Sequence, residues 1–296
     1  MVNLLPGILL AVACALVANL SYFMKYKGAN SVAAVSVRHP LRTVRDLFGS
    51  KVFALGMVVA TIGWGMHVAA LALAPMSVVQ VALAAGVVLI AVMADRMFGY
   101  AVGLKQWIGL WLTAAGLVML GLTLPGMHGA HSHFSSVAMI AFEAGLFGVG
   151  GLLIMGPSVG GRREHHGVML AASSGILFGV SDSAIKALTG ILGAHGVLGL
   201  ITSPWLGVAV LASVVAFYAS ARAFQEGEAV PVIAVTGTAM NIAGIASGLI
   251  VFGDPLPGSA VGIVMESLAF VLVIVASALM PAPVRSAGLR SATTAA

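Results

Sequence analysis

Charged residues are scarce in this chain of 296 residues, of which only 8% are Asp, Glu, Lys or Arg, against about a quarter in soluble proteins. Hydrophobic residues make up 60%, so the polar surface is too small to cover a water-facing exterior. This balance excludes a soluble globular protein. The single cysteine, Cys14, excludes a disulfide framework or a cysteine-based metal cluster. No nucleotide-binding loop or nucleophile with a partnered base appears, which argues against an enzyme and predicts no cofactor.

Long apolar runs dominate what is present. Each run has about 20 residues, enough to cross ~30 Å of hydrocarbon as a helix. Transmembrane strands would alternate in polarity and be about half as long. The sequence therefore predicts an all-α integral membrane protein with about nine transmembrane helices, at residues 4–24, 52–73, 75–94, 104–124, 134–156, 168–192, 203–221, 229–252 and 258–280.

The basic residues fix an expected orientation. Thirteen of the 14 lysines and arginines lie in connections that follow odd-numbered predicted spans, and the even-numbered connections contain none. Because cytoplasmic loops carry the basic excess, we expect the N-terminus outside and the C-terminus in the cytoplasm of a plasma-membrane protein. The net charge of +5 is then explained by orientation and contact with anionic lipid, and nucleic acid is not an expected partner.

An internal repeat is visible in two pairs of segments. Residues 10–25 resemble residues 171–186, and both stretches end in lysine; residues 73–79 resemble residues 224–230. Spans one to four thus match spans six to nine with opposite orientation, which is the inverted repeat of secondary transporters. We expect a first repeat at 1–126, a second half at 127–280 with span five unpaired, and a disordered cytoplasmic tail at 281–296.

Several motifs carry a family resemblance. HVAALALAPMSVVQ at 67–80, Asp95, the glycine-rich span from Gly109 to Leu120, and VFGDPLP at 251–257 resemble the drug/metabolite transporter (EamA-like) superfamily. The four-plus-five span count and the basic segment after span one resemble its NIPA-type branch, which implies magnesium transport. Where that branch has a glutamate this chain has Trp64-Gly65, and where the branch has a proline it has Gln80.

Polar side chains inside the predicted spans are the candidate site residues. A charge at the bilayer centre costs roughly 2.5 to 3.5 kcal/mol on insertion scales, so each should face a partner or a cavity. At about 1.5 Å of helical rise per residue, four of them lie about 12 to 16 Å from the outer end of their spans, which is close to the midplane. We therefore expect one substrate- or ion-binding chamber, for which the candidates are Glu143, Asp182, Asn241 and Glu266, together with Lys186 and His67.

The chemistry of this chamber stays open. Lys186 follows Asp182 by one helical turn, so the two can pair and cancel. That pairing would leave Glu143 and Glu266 as candidate ligands for a metal ion or as groups that carry a proton. In one interpretation these two groups carry a proton. In the other, one or two carboxylates hold a hydrated Mg²⁺, to which Asn241 contributes an oxygen.

The sequence thus predicts a secondary transporter of a small solute, with a cation such as Mg²⁺ as the first choice. One alternative is a proton-coupled exporter of a small metabolite or drug, and another is a non-transporting scaffold or lipid-binding subunit. Membrane lipid and the solute are the expected partners; the oligomeric state stays open. Glu143→Gln and Glu266→Gln should abolish transport by a carrier and be tolerated by a scaffold.

Overall fold

The computed structural model describes residues 5–36, 38–84, 104, 108, 111, 112, 115, 116, 119, 133–156, 165–227, 229–254 and 259–278. Within these residues the chain is helical and contains no strand. Its nine described helices are α1 (Leu5–Ala29), α2 (Pro40–Gly49), α3 (Lys51–Leu73), α4 (Met76–Ala84), α5 (Ser136–Ile154), α6 (His166–Thr202), α7 (Pro204–Glu226), α8 (Ala229–Ile250) and α9 (Ala260–Ala278).

Six of the described helices are long and apolar enough to cross a membrane. They are α1, α3, α5, α6, α7 and the Val232–Ile250 part of α8, and each coincides with a predicted span. Their outer faces expose large apolar side chains, among them Leu9, Val58, Ile140 and Val210. The prediction of an all-α, multi-pass membrane protein is confirmed.

The remaining three predicted spans are described only in part. Helix α4 is the beginning of span 75–94, and α9 lies within span 258–280. Most of span 104–124, Asp95 and the predicted tail at 281–296 lie outside the described residues. Helix α6 is longer than the predicted span 168–192 and is interrupted at Gly196, whose φ of 66° is a conformation that glycine adopts at little cost.

Helices α1 and α3 form a close antiparallel pair. At one end of the pair Gly7 lies against Ala74, and at the other end Gly28 lies against Phe53. A Cβ at Gly28 would be only 2.5 Å from the Phe53 backbone nitrogen, so only glycine allows this approach. Helices α6 and α7 pair in the same antiparallel way.

Hydrogen bonds set the direction of the helices in the second half. The Ser174 and Ser181 hydroxyls of α6 donate to the Ala216 and Ala209 carbonyls of α7 at 3.0 and 3.2 Å. Since Ser181 comes later than Ser174 and Ala209 earlier than Ala216, α6 and α7 are antiparallel.

Helix α8 runs parallel to α6 and antiparallel to α4. The Thr236 hydroxyl donates to the Ala171 carbonyl at 3.2 Å, and the Ser183 hydroxyl donates to Ser247 at 2.7 Å. On its other side α8 meets α4, with Gly248 at Ser77 and Gly244 at Gln80.

Two buried apolar clusters lie at opposite ends of this bundle. The cluster at the α3–α4 turn, here the α3–α4 end, includes Leu71, Met76, Leu188 and Phe252. The cluster at the α7–α8 turn, here the α7–α8 end, includes Phe23, Phe53, Leu170 and Phe224. The helices between the two clusters line a cavity.

Candidate functional site

A cavity of about 180 Å³ lies between α1, α3, α4, α6 and α8. It extends along α1 from Cys14 to Lys25, about 16 Å at ~1.5 Å per residue. A water molecule needs at least about 10 to 15 Å³ of such space, so several fit. Its polar lining residues are Cys14, Ser21, Tyr22, Lys25, His67 and Asp182.

Asp182 and His67 are the predicted site residues that the structure brings together. Both residues are 6% exposed, and His67 Nε2 lies 3.1 Å from Asp182 Oδ1. At this distance the ring nitrogen and the carboxylate are in direct polar contact. Asp182 comes from α6 and His67 from α3, so the contact joins the two halves of the chain.

Gln80 is a third member of this group that the sequence analysis did not select. Its side chain is fully buried, and its Nε2 donates to Asp182 Oδ2 at 3.0 Å. The amide packs on Gly244 of α8, where a Cβ would be 2.5 Å from Gln80 Cδ. The signal was present in the sequence, since an amide within an apolar span needs a partner for the same reason as a charge.

Some buried oxygen atoms on residues that contact Asp182 or line its cavity have no hydrogen-bond partner. They include Gln80 Oε1 and the Ser21 hydroxyl oxygen. Buried polar atoms are almost always satisfied by protein or ordered water, so such an atom needs an explanation. Ser21 lines the cavity together with Asp182, whereas Gln80 contacts the carboxylate without lining the cavity.

Glu143 lies at the same level as Asp182 but on another side of α6. Helix α5 packs on the α6 face that carries Ser173, whose hydroxyl donates to the Gly150 carbonyl at 2.8 Å. Asp182 is nine residues after Ser173, which at about 100° per residue places it about 180° around the helix. Glu143 is buried, its Oε1 has no hydrogen-bond partner, and it does not line the cavity.

Asn241 lies near the cavity without lining it. The contacts of Gly244 with Gln80 and of Gly248 with Ser77 place Asn241 at the level of Leu83, which is part of the cavity wall. Asn241 is buried and its Oδ1 has no hydrogen-bond partner. The backbone of Glu266 belongs to α9, and its side chain lies outside the described part of the structure.

Lys186 contacts the end of α3, and the expected pairing with Asp182 is not among its described contacts. Its Nζ donates to the Leu71 and Ala74 carbonyls at 2.6 and 2.8 Å. Close by, the buried Asp254 accepts a hydrogen bond from the Ser77 backbone nitrogen at 2.7 Å. Asp254 belongs to the VFGDPLP motif, and the sequence analysis placed it in a loop and did not count it as a buried acid.

The described contacts between the two halves at the α7–α8 end come from neutral groups, while the ion pairs of Glu226 with Arg222 and His166 lie within the second half. Gln225 Nε2 donates to the Ala29 and Ala33 carbonyls at 2.9 and 3.1 Å, and its Oε1 accepts from the Val35 backbone nitrogen at 2.7 Å. Asn30 Nδ2 donates to the Phe224 carbonyl at 2.8 Å. Both ends of the bundle are therefore bridged between the first and second halves of the chain.

Within the described ranges, no group of three or more His, Cys, Asp or Glu side chains is placed to hold a metal ion. A cage made of protein ligands alone is therefore missing from this part of the chain. Mg²⁺ does not require one, because it usually keeps several waters and binds one or two carboxylates.

Comparison with known proteins gives one informative match. The chain is 22% identical over 273 residues to the probable magnesium transporter NIPA9 of Arabidopsis thaliana, with 88% of this chain and 78% of that protein covered. No family model matches the chain, and no solved structure matches it. The apolar spans and this similarity together indicate a multi-pass membrane protein with distant homology to a transporter.

Proposed function

We propose that this chain is a secondary transporter that moves a small cation through the cavity at Asp182. The observation that carries the proposal is a buried carboxylate in a cavity shared by both halves of the chain, with the unpartnered Ser21 hydroxyl in the same cavity lining. If this part of the protein were packed only for stability, burying the carboxylate and an unpartnered hydroxyl would cost free energy without any gain. No chemical step and no cofactor are needed.

The transporter that we propose has nine spans, with its N-terminus outside and its C-terminus in the cytoplasm of the plasma membrane. Residues 1–126 and 127–280 form its inverted repeats, followed by a tail at 281–296. The antiparallel pairs α1–α3 and α6–α7 support this architecture. So do the ends of α3 and α7, because Ala74 and Gly227 both have extended backbone angles, with φ of −140° and −135°.

Mg²⁺ is the first substrate to test, because the relative is named a probable magnesium transporter. In the proposed site Asp182 supplies the charge, Ser21 accepts a hydrogen bond from the ion's retained waters, and Gln80 holds the Asp182 carboxylate in place. Asn241 lies at the level of Leu83, on the α4 side of the cavity. Glu143 and Glu266 remain weaker candidates, since neither side chain is described at the cavity.

A proton-coupled exporter of a small organic solute is the second candidate. The favouring observation is that much of the cavity wall is aromatic or apolar, with Trp64, Phe178 and Met240 beside Tyr22. Aromatic walls suit an organic body better than a hydrated ion. This candidate uses the same Asp182, so the two are separated by their substrates.

Uptake into proteoliposomes tests the proposal. Purified protein should move Mg²⁺ down its gradient, as measured with a trapped fluorescent indicator. Asp182→Asn should reduce uptake roughly tenfold to a hundredfold, because it removes charge-assisted contacts worth about 1.5 to 3 kcal/mol.

Glu143→Gln is the matched control, because it neutralises a buried acid at the same level outside the cavity. In contrast to the expectation from the sequence, we expect it to keep most of the uptake, because Glu143 does not line the cavity. The opposite ranking of these two variants would place the site elsewhere. Transport of an organic cation or a proton exchange without Mg²⁺ movement would favour the second candidate.

A further inference from the structure

We propose that Lys186 and Asp254 are positioning residues for transport, which hold the α3–α4 turn over the Asp182 end of the cavity until that end opens. The proposal rests on the proposed function and concerns how the cavity is reached. It differs from the expectation that Lys186 neutralises Asp182.

Lys186 caps the C-terminal end of α3. Its side chain is fully buried, and both described acceptors of its Nζ, the Leu71 and Ala74 carbonyls, lie at the C-terminal end of that helix. Carbonyls in the last turn have no partner within the helix and carry partial negative charge. A buried ammonium group therefore satisfies them directly.

Asp254 is matched to the beginning of α4. Its Oδ2 accepts from the Ser77 backbone nitrogen in the first turn of that helix, where unpaired N–H groups carry partial positive charge. Gly248 makes room for it, since a Cβ there would lie 2.5 Å from Asp254 Oδ2. The α3–α4 turn is thus held by a cation on one side and an anion on the other.

These contacts lie directly beyond the cavity. Lys186 is one helical turn from Asp182 along α6, and Leu71 is one turn from His67 along α3. The turn belongs to the first half of the chain, whereas Lys186 and Asp254 belong to the second. Any motion that separates the halves at this end must break these charge-assisted hydrogen bonds, which are about twice as strong as neutral ones.

Cys14 supplies a native reporter of this opening. It is the only cysteine in the chain, it is buried, and it lines the cavity near Asp182. Its modification by a membrane-impermeant thiol reagent, added to one side of sealed vesicles at a time, measures access to the cavity from that side.

The test is Lys186→Met in right-side-out and inside-out vesicles. We expect modification of Cys14 to become at least tenfold faster from the side of the α3–α4 turn and to stay unchanged from the other side. Asp254→Asn keeps an acceptor for Ser77 but loses the charge, and should give about a threefold increase from the same side. It also keeps the proposal testable where Lys186→Met does not fold.

Ser183→Ala is the matched control, because it removes a buried hydrogen bond to Ser247 within the second half. It should leave the labelling rates unchanged. Equal increases from both sides, or no increase in either charge variant, would overturn the proposal. If labelling opens on one side as expected but the wild-type protein carries no solute, the proposed function fails and the positioning of the turn stands.

Discussion

The two ends of the bundle are joined by different chemistry. At the α3–α4 end a buried lysine and a buried aspartate contact helix termini of opposite polarity. At the α7–α8 end the described contacts between the halves come from side-chain amides, from a tyrosine hydroxyl and from backbone groups that are partly exposed, and the ion pairs of Glu226 lie within the second half. Buried charges hold their partners more tightly than neutral groups near water, so we expect the α3–α4 end to need more free energy to open.

The packing of α1 against α3 also differs between the two ends, and it is closer at the α7–α8 end. Within the α1–α3 pair, a Cβ at Gly28 near the α7–α8 end would overlap the backbone of Phe53, whereas a Cβ at Gly7 near the α3–α4 end would first meet the Ala74 Cβ, at 2.9 Å. The α7–α8 end is thus held by tight packing of α1 on α3 within one half, and the α3–α4 end by charges between halves. The same overall arrangement is stabilised by different interactions at its two ends.

Gly28→Ala should have the largest effect on stability. The added Cβ would lie 2.5 Å from the Phe53 backbone nitrogen, so α1 and α3 must separate, at a cost of about 2 to 3 kcal/mol. Thermal or denaturant unfolding in detergent measures this change. Gly65→Ala on α3 is the control, because a Cβ there meets nothing within 4 Å; equal losses in both variants would show that packing against Phe53 does not matter.

Gln225→Ala should lower the free energy of unfolding by less than Gly28→Ala does and by more than Gly7→Ala does. It removes three hydrogen bonds from α7 to the last residue of α1 and to the segment after it, which in this partly exposed position contribute about 1 to 2 kcal/mol in total. We expect faster modification of Cys14 from the side of the α7–α8 turn, opposite to the side affected by Lys186→Met. Faster labelling from the same side as Lys186→Met would remove the distinction between the two ends.

Gly7→Ala should have the smallest effect. Its Cβ would approach only the Ala74 Cβ and the Leu73 Cβ, at 2.9 and 3.3 Å, and a small shift of the α3–α4 turn relieves this contact. The gain in helix propensity offsets much of the remaining cost, so unfolding should change by less than about 1 kcal/mol. A loss as large as that of Gly28→Ala would mean that the α3–α4 turn cannot move, which would contradict its proposed opening.

The sequence predicted the helical, membrane-spanning character well, because long apolar runs and scarce charge leave few other structures. The common level of Glu143 and Asp182 follows from the constant rise of a helix per residue, and the shared chamber near the midplane stays a prediction. The sequence could not predict which faces converge. Glu143 and Asp182 share a level but lie on different sides of α6, and that relation depends on which helix packs on which face.

The sequence analysis missed Gln80 and Asp254 because their roles also depend on contacts with other helices. Gln80 is polar but uncharged, and its importance comes from its contact with Asp182 on another helix. Asp254 follows an apolar span by a few residues and looks like a loop residue, yet the turn folds it onto the N-terminus of α4. Lys186 was selected, and only the tertiary structure gives its contacts with the end of α3.

Substrate protection of Cys14 tests most directly whether the cavity at Asp182 is the path of the transported solute. A solute that is carried should slow modification of Cys14 in the wild-type protein and have no such effect in Asp182→Asn, and protein modified with a bulky thiol reagent should lose transport. Transport at the full rate after complete modification of Cys14 would contradict this path.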